Sequence, residues 1–329
     1  MRVLVTGAGG YIGNVLTRML LEGGHFVRAL DTFWFGKERL PSHPELELVT
    51  GDIRNVGIGI MEEIDAIIDL AAISNDPAGE LDPLMTWSIN HLGRFRIATL
   101  GKNAGVMKYI LPSSCSIYGF QDEEVNESSD VNPLTTYAKA NLAAENDVLS
   151  LSDESFCVTV IRQATVYGLS KRMRFDLAVN GMTKGFFQNG KIPLMRDGKQ
   201  WRPFVHVKDT SRAMMKILEA ENGEVNGQIF NVGSDEQNYQ IFNLAEKVAE
   251  GQGVPFEFEW YGDPDHRSYR VSFQKISEMI SFVPDWKAED GAKEIRSALD
   301  NGDLDPNDPS TITLGWYKTL IEDGEIDSA

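Results

Sequence analysis

Cysteine is scarce in this 329-residue chain: only Cys115 and Cys157 occur, in no C-x-x-C spacing. Two distant thiols exclude a disulfide framework and a cysteine zinc site, and a reducing cytoplasm is expected. Histidine is nearly as rare, with five residues and no ligand spacing, so no metal is expected. No apolar run approaches the roughly 18 residues of a membrane helix. The first residues enter a structural motif without a basic n-region or cleavage site, so neither a membrane span nor a secretion signal is expected. Positive charge is short as well. Lys and Arg number 31 against 49 Asp and Glu, a net charge of −18. Such a surface repels phosphate backbones and anionic lipid, which argues against nucleic acid and membrane as partners. The rest is ordinary globular composition without repeats, long enough for two modest domains.

What is present is an alternation. Val3-Leu4-Val5 reads as a buried strand, Thr6-Gly7-Ala8-Gly9-Gly10 as a glycine-rich turn, and Tyr11 to Leu20 as an apolar-periodic helix closed by Gly23-Gly24. The run 26–30 then ends at Asp31 and completes a parallel crossover. Further short apolar runs at 46–49, 66–70, 109–111 and 157–161 are separated by segments with helical periodicity, including 84–104 and 137–151. This predicts an α/β fold, a Rossmann-type doubly wound parallel sheet with a smaller mixed C-terminal substrate domain. Residues 1–166, with roughly 204–236 returning, are assigned to the first part, and 167–203 with 237–329 to the second.

Gly7, Gly10 and Gly13 form G-x-x-G-x-x-G at a strand-to-helix junction. There, absent side chains let a pyrophosphate approach backbone N–H groups and the positive end of a helix dipole. Asp31 ends the next strand, where a carboxylate accepts from a ribose diol and repels a 2′-phosphate, which favours NAD over NADP. Asp52, after the third strand, is placed to reach the adenine amino group.

Taken in order, Thr6 to Gly13, Gly51-Asp52-Ile53-Arg54, Leu70-Ala71-Ala72, Asn90, Ser113 to Gly119, Tyr137 and Arg202 to Val207 resemble the extended short-chain dehydrogenases/reductases. The likeness is to their NAD-dependent nucleotide-sugar epimerase/dehydratase group and spans roughly residues 1–280. It implies NAD held by Gly7, Gly10, Tyr11, Ile12, Gly13, Asp31, Asp52, Ile53, Leu70, Ala71, Ala72, Asn90, Tyr137 and Asn141. It also implies that Tyr137 removes a sugar hydroxyl proton while Ser114 hydrogen-bonds the same oxygen. The sequence departs from the group at one point. The lysine expected one turn after the tyrosine, which lowers the phenol pKa, is Asn141, and Lys139 lies on another helical face. A neutral amide cannot stabilise a tyrosinate by charge. Cys115 and Ser116 replace the acid pair of 4,6-dehydratases, which argues against that reaction, and Cys115 is a candidate extra acid/base.

For substrate, the resemblance points to Asn180, Arg202 and Arg267 as diphosphate ligands. They accompany a segment, 171–202, with eight basic and two acidic residues. Met173 to Asp176 and Arg267 to Arg270 are expected to shape the sugar pocket, His206 to be structural, and the acidic tail 285–329 to carry no chemistry. The expected function is an NAD-dependent epimerase or oxidoreductase acting at C4 of a nucleotide-activated sugar. The alternative is a dinucleotide-binding sensor or structural partner without catalysis. The helices at 84–104 and 137–151 resemble a dimer-forming pair, so a homodimer is expected.

Overall fold

The computed structural model describes residues 1–265 and 267–326. Its central sheet has seven parallel strands in the spatial order Gln228–Val232, Cys157–Gln163, Lys108–Ser114, Ala66–Asp69, Arg2–Thr6, Phe26–Asp31 and Leu46–Thr50. Val3 and Val5 enter the core on one face of the sheet and Leu4 and Ile67 the core on the other. Helices cover both faces of its middle, so inner strands such as Ala66–Asp69 and Cys157–Gln163 are buried along their whole length, while the edge strand Leu46–Thr50 is largely exposed. From Arg2–Thr6 the chain builds outward on one side. It then crosses back to lay Ala66–Asp69 on the other flank of the first strand. The order reverses between those two strands, and the crevice beyond their carboxyl ends is where an open α/β sheet holds a ligand.

Local chemistry sets the elements around that crevice. The first helix, Tyr11–Glu22, ends where Gly24 N–H donates to Leu21 O and His25 N–H to Leu20 O. Gly24 sits at φ +77°, a conformation that residues with a Cβ rarely adopt. The helical pattern over 84–104 is one path with a wider turn inside it: Pro83–Trp87, a π turn at Ser88–Gly93, then Arg94–Asn103. The helix Thr136–Leu149 packs alongside.

Outside the central sheet lie short strand pairs that periodicity does not reveal. Trp201–His206 joins Thr165–Tyr167 and Asn238–Gln240; Ile192–Met195 joins Phe258–Tyr261; Phe120–Val125 joins Ser268–Val271. The last pairing makes a strand of a segment containing Asp122, Glu123 and Glu124, residues with poor strand propensity. A separate core, with Val179, Ile192, Leu194, Phe204, Leu244 and Val248, supports this smaller part.

The tail departs from expectation. Helix Thr313–Glu322, assigned with the substrate part, buries Tyr317 and Leu320 in the core that contains Leu4 and Leu30. Trp316 Nε1 donates to Trp34 O at 2.7 Å, and the Arg39–Asp308 ion pair at 3.0 Å ties the tail to the loop after the second strand. No helix among the described residues is long and apolar enough to cross a membrane.

Candidate active site

A cavity of about 570 Å³ opens at the strand-order reversal. Gly7, Gly10, Tyr11, Ile12, Gly13, Asp31, Asp52, Ile53, Leu70, Ala71, Ala72, Ser114, Tyr137, Arg202 and Arg267 all line it. Residues from eight separate stretches of sequence thus share one space.

At one end is the glycine turn. A Cβ at Gly13 would lie 2.2 Å from Gly7 O, and one at Gly7 would lie 2.7 Å from Ala71 N, so the turn is pressed against its neighbours. A Cβ at Gly10 would meet only Gly7 O, at 3.1 Å. The room above Gly10 is therefore open, and the first turn of helix Tyr11–Glu22 has no side-chain cap to occupy its N–H groups. Open space before uncapped donors suits a pyrophosphate. Asp31 accepts from Gly9 N–H at 2.9 Å and Phe33 N–H at 2.7 Å, so its carboxylate is fixed at the cavity wall. Asp52 is gripped by Arg54 through Nε and Nη2 at 2.9 and 2.6 Å. The residues fit a dinucleotide: a donor cradle, a rim carboxylate and apolar walls.

Trp34, Phe35, Arg172, Ile312, Leu314 and Tyr317 also line the cavity, and none was a candidate. The tail expected to be without chemistry supplies part of the wall. The aromatic run Phe33-Trp34-Phe35, shortly after Asp31, was the available signal. The Arg172 guanidinium lies 3.7 Å from the Phe35 ring centroid and donates to Thr313 Oγ1 at 3.1 Å. Burial, with the Arg174 charge beside it, pushes Arg172 down to about 9.

In the middle stand Ser114, at the end of strand Lys108–Ser114, and Tyr137, in the first turn of helix Thr136–Leu149. Thr135 caps that helix by accepting from Ala138 N–H at 3.2 Å. Ser114 Oγ accepts from Ser116 N–H at 3.1 Å. Burial raises the Tyr137 phenol; the Arg94 charge opposes this, Asp76 reinforces it, and Ser114 and Arg174 oppose it further.

Four candidates turn away from the cavity, each because a buried polar group must find a partner. Cys115 donates its thiol to Arg162 O at 3.2 Å and burial pushes its pKa up, so it is no exposed acid/base. Asn90 closes on Ile73, accepting from N–H at 2.8 Å and donating to O at 3.0 Å. Asn180 accepts from Gly168 N–H and donates to Tyr11 Oη and Arg174 O. Asn141 donates to Tyr137 O at 2.9 Å and accepts from Arg94 Nη1 at 2.7 Å, so both ends of its amide are engaged within the helix pair. Lys139 is exposed.

The other end is charged. Arg202 and Arg267 share Asp265 at 2.8 and 2.7 Å, and Arg267 also pairs with Asp76. Arg174 and Asp176 pair at 2.7 Å, and Asn75 donates to Asp176 at 2.8 Å. Of the basic segment, only Arg172, Arg174 and Arg202 reach the cavity. Tyr269 lines it too, whereas Met173 and Phe175 lie in a core cluster. His206 is buried, stacked on Trp286 and 2.8 Å from Glu294, a carboxylate brought from far along the chain. Among the described residues, no group of three His, Cys, Asp or Glu side chains could hold a metal.

Comparison with known proteins agrees with this geometry. A UDP-glucose 4-epimerase of Mycolicibacterium smegmatis is 30% identical over 299 residues, covering 86% of this chain and 94% of that protein. A UDP-N-acetyl-alpha-D-glucosaminuronate decarboxylase of Bacillus cytotoxicus is 28% identical, covering 89% and 96%. The Bacillus cereus UDP-glucuronic acid 4-epimerase, solved with UDP-glucuronic acid and NAD, superposes with a TM-score of 0.81 at 22% identity, covering 92% of this chain and 99% of that one. Residues 3–233 match the family profile, most of the chain, and so the protein belongs to the NAD dependent epimerase/dehydratase family.

Proposed function

We propose that this NAD-dependent enzyme oxidises the C4 hydroxyl of a nucleotide-activated hexose or heptose. It either restores the hydride on the opposite face, as an epimerase, or releases the 4-keto sugar with the hydride left on reduced nicotinamide; run in reverse, reduced nicotinamide converts a 4-keto sugar to the 4-hydroxy product. The observation that carries this reading is the placing of Ser114 and Tyr137 in one cavity between the glycine turn and the arginines. Bound NAD supplies the hydride acceptor. Tyr137 takes the hydroxyl proton, and Ser114 hydrogen-bonds the same oxygen and holds it as charge develops. Arg202 and Arg267, kept extended by Asp265, bind the diphosphate by charge-assisted hydrogen bonds. Cys115, sealed behind Arg162 O, takes no part, and dehydration through that position is not proposed.

The division into a dinucleotide part and a substrate part belongs to this reading, with helix Thr313–Glu322 moved to the first. So does a homodimer. The paired helices leave Leu84 and Leu92 exposed at 68% and 57%, and a second copy would cover them. A reducing cytoplasm suits two free, buried thiols.

The test is incubation with NAD and UDP-, GDP-, dTDP- and CDP-sugars, uronic acids included, following reduced-nicotinamide absorbance and product stereochemistry. Turnover of at least one sugar is expected. Tyr137→Phe is expected to cut it by about 10²–10⁴ while leaving NAD affinity unchanged. Failure to bind any nucleotide sugar sinks the proposal, and full activity in Tyr137→Phe removes that residue from the mechanism.

A further inference from the structure

A buried phenol that must give up its proton needs a positive charge nearby, because burial disfavours the anion. The helix that carries Tyr137 offers none: its lysine, Lys139, is exposed, and the residue one turn after Tyr137 is the neutral Asn141. A cation comes instead from the neighbouring helix. Arg94 is 3% exposed and forms no ion pair within 4.0 Å among the described residues. It is the first residue after the π turn, a widening of the helix of the kind found at functional sites. Its Nε donates to Ala71 O at 2.9 Å, on the cavity wall, and its Nη1 to Asn141 Oδ1 at 2.7 Å. Asn141 in turn donates to Tyr137 O at 2.9 Å. The amide thus joins the guanidinium to the turn that bears the phenol.

We propose that Arg94 is the positioning cation of the reaction centre, supplying across the helix pair the charge that lets Tyr137 act as a base, with Asn141 as the adaptor that holds it. This rests on Tyr137 being the base, as read above. A lysine at 141 would remove the acceptor for Nη1 and set one cation against another, so Asn141 and Arg94 form a single unit.

The charged groups around the phenol agree. Arg94 is the strongest influence against burial at Tyr137, helped by Ser114 and Arg174 and opposed by Asp76. Asp69 also faces Arg94. Burial raises its carboxyl, against the Arg94 charge and the hydrogen bonds that Thr6 and Tyr109 donate to it.

Titration of Tyr137 tests this without any sugar. Protein labelled at tyrosine Cζ and loaded with NAD is followed by carbon NMR against pH, the Tyr137 signal being assigned by its loss in Tyr137→Phe. Arg94→Met should move the midpoint up by about one to three pH units. The double variant Arg94→Met with Asn141→Lys, which returns a cation on the tyrosine's own helix, should bring it back toward the wild-type value. If Arg94→Met alone does not fold, the double variant carries the test. An unmoved midpoint in folded Arg94→Met overturns the proposal, as does a double variant that folds and binds NAD yet titrates no lower than an unassisted buried phenol, above about pH 10. A wild-type signal that never titrates below that pH overturns it equally. Absence of sugar turnover would instead count against the proposed function and leave this titration readable.

Discussion

The two ends of the cavity are built from different materials. At the dinucleotide end the wall is main chain, small residues and apolar rings, and its buried cation, Arg172, has no carboxylate within ion-pair distance among the described residues. At the substrate end Arg174, Arg202 and Arg267 are each tied to an aspartate at the wall or beside it. The first end is pre-shaped, and its carboxylates, Asp31 and Asp52, are engaged by main-chain N–H groups and by Arg54, so Arg172 keeps its charge unpaired by them. An anionic ligand there completes the site. The second is neutralised by its own side chains, so a diphosphate must compete with Asp265 and Asp76 for guanidinium donors. A ligand at the second end therefore displaces existing ion pairs, which one meeting Arg172 at the first end does not.

The sharpest way to break that contrast is Gly13→Ala. The new Cβ would fall 2.2 Å from Gly7 O and 2.7 Å from Ala8 Cα, both main chain, so no rotamer relieves the overlap. Dinucleotide binding should be lost and thermal stability lowered; normal NAD affinity by calorimetry would show that the turn is not the cradle. At the other end, Arg267→Met removes a charge-assisted contact of about 1.5–3 kcal/mol. The expected outcome is a KM for nucleotide sugar raised about 10- to 100-fold with NAD affinity unchanged. Equal effects on both ligands would dissolve the distinction between the ends.

How much of this was legible depends on how far apart in the chain the partners lie. The glycine turn, Asp31 and the strands around them are encoded within a few dozen consecutive residues, and periodicity reads them well. Trp34, Phe35 and Tyr317 meet only because the tail returns across nearly the whole chain to pack on the first sheet. No local pattern in 313–322 announces a cavity wall. Asn90, Asn141 and Asn180 show a second limit. Motif position singles each out, but a short amide can hydrogen-bond to its own surroundings instead of a ligand, and here each does. Arg94 was hidden for a related reason: the visible signal was a missing lysine on one helix, and the charge that stands in for it comes from another.

Arg172→Met sharpens the dinucleotide end with a smaller expected effect. Burial at the cost of a guanidinium pushed down to about 9 means that the protonated side chain opposes folding over the whole neutral range. The sign follows from linkage: a base with a lowered folded-state pKa costs stability below that value, and the cost fades as pH rises from about 9 toward its ordinary value. A methionine of similar length keeps the packing on Phe35 without the charge. The ligand-free melting temperature should hold or rise at pH 7, while NAD affinity falls about tenfold, the worth of one charge-assisted hydrogen bond. Loss of stability with unchanged affinity would make Arg172 a structural residue and leave the dinucleotide end without a cation of its own.

The smallest effect is expected at Asp52, and it separates lining a cavity from binding in it. Against burial, which raises it, the Arg54 hydrogen bonds and charge hold the carboxyl below the ordinary range, and both oxygens are engaged by Arg54, Oδ1 by its main-chain N–H and Nε and Oδ2 by Nε and Nη2. Little capacity is left for an adenine amino group, so Asp52→Asn should change NAD affinity by less than about threefold. Its cost lies in the ion pair, about 1 kcal/mol for a partly exposed contact. An acid with a lowered folded-state pKa stabilises above its ordinary value, and that contribution is lost as pH falls through the folded-state value. The melting-temperature gap between wild type and Asp52→Asn should therefore be present at pH 7 and shrink below about pH 4. A tenfold loss of NAD affinity with no pH-dependent gap would instead make Asp52 a direct ligand of the dinucleotide.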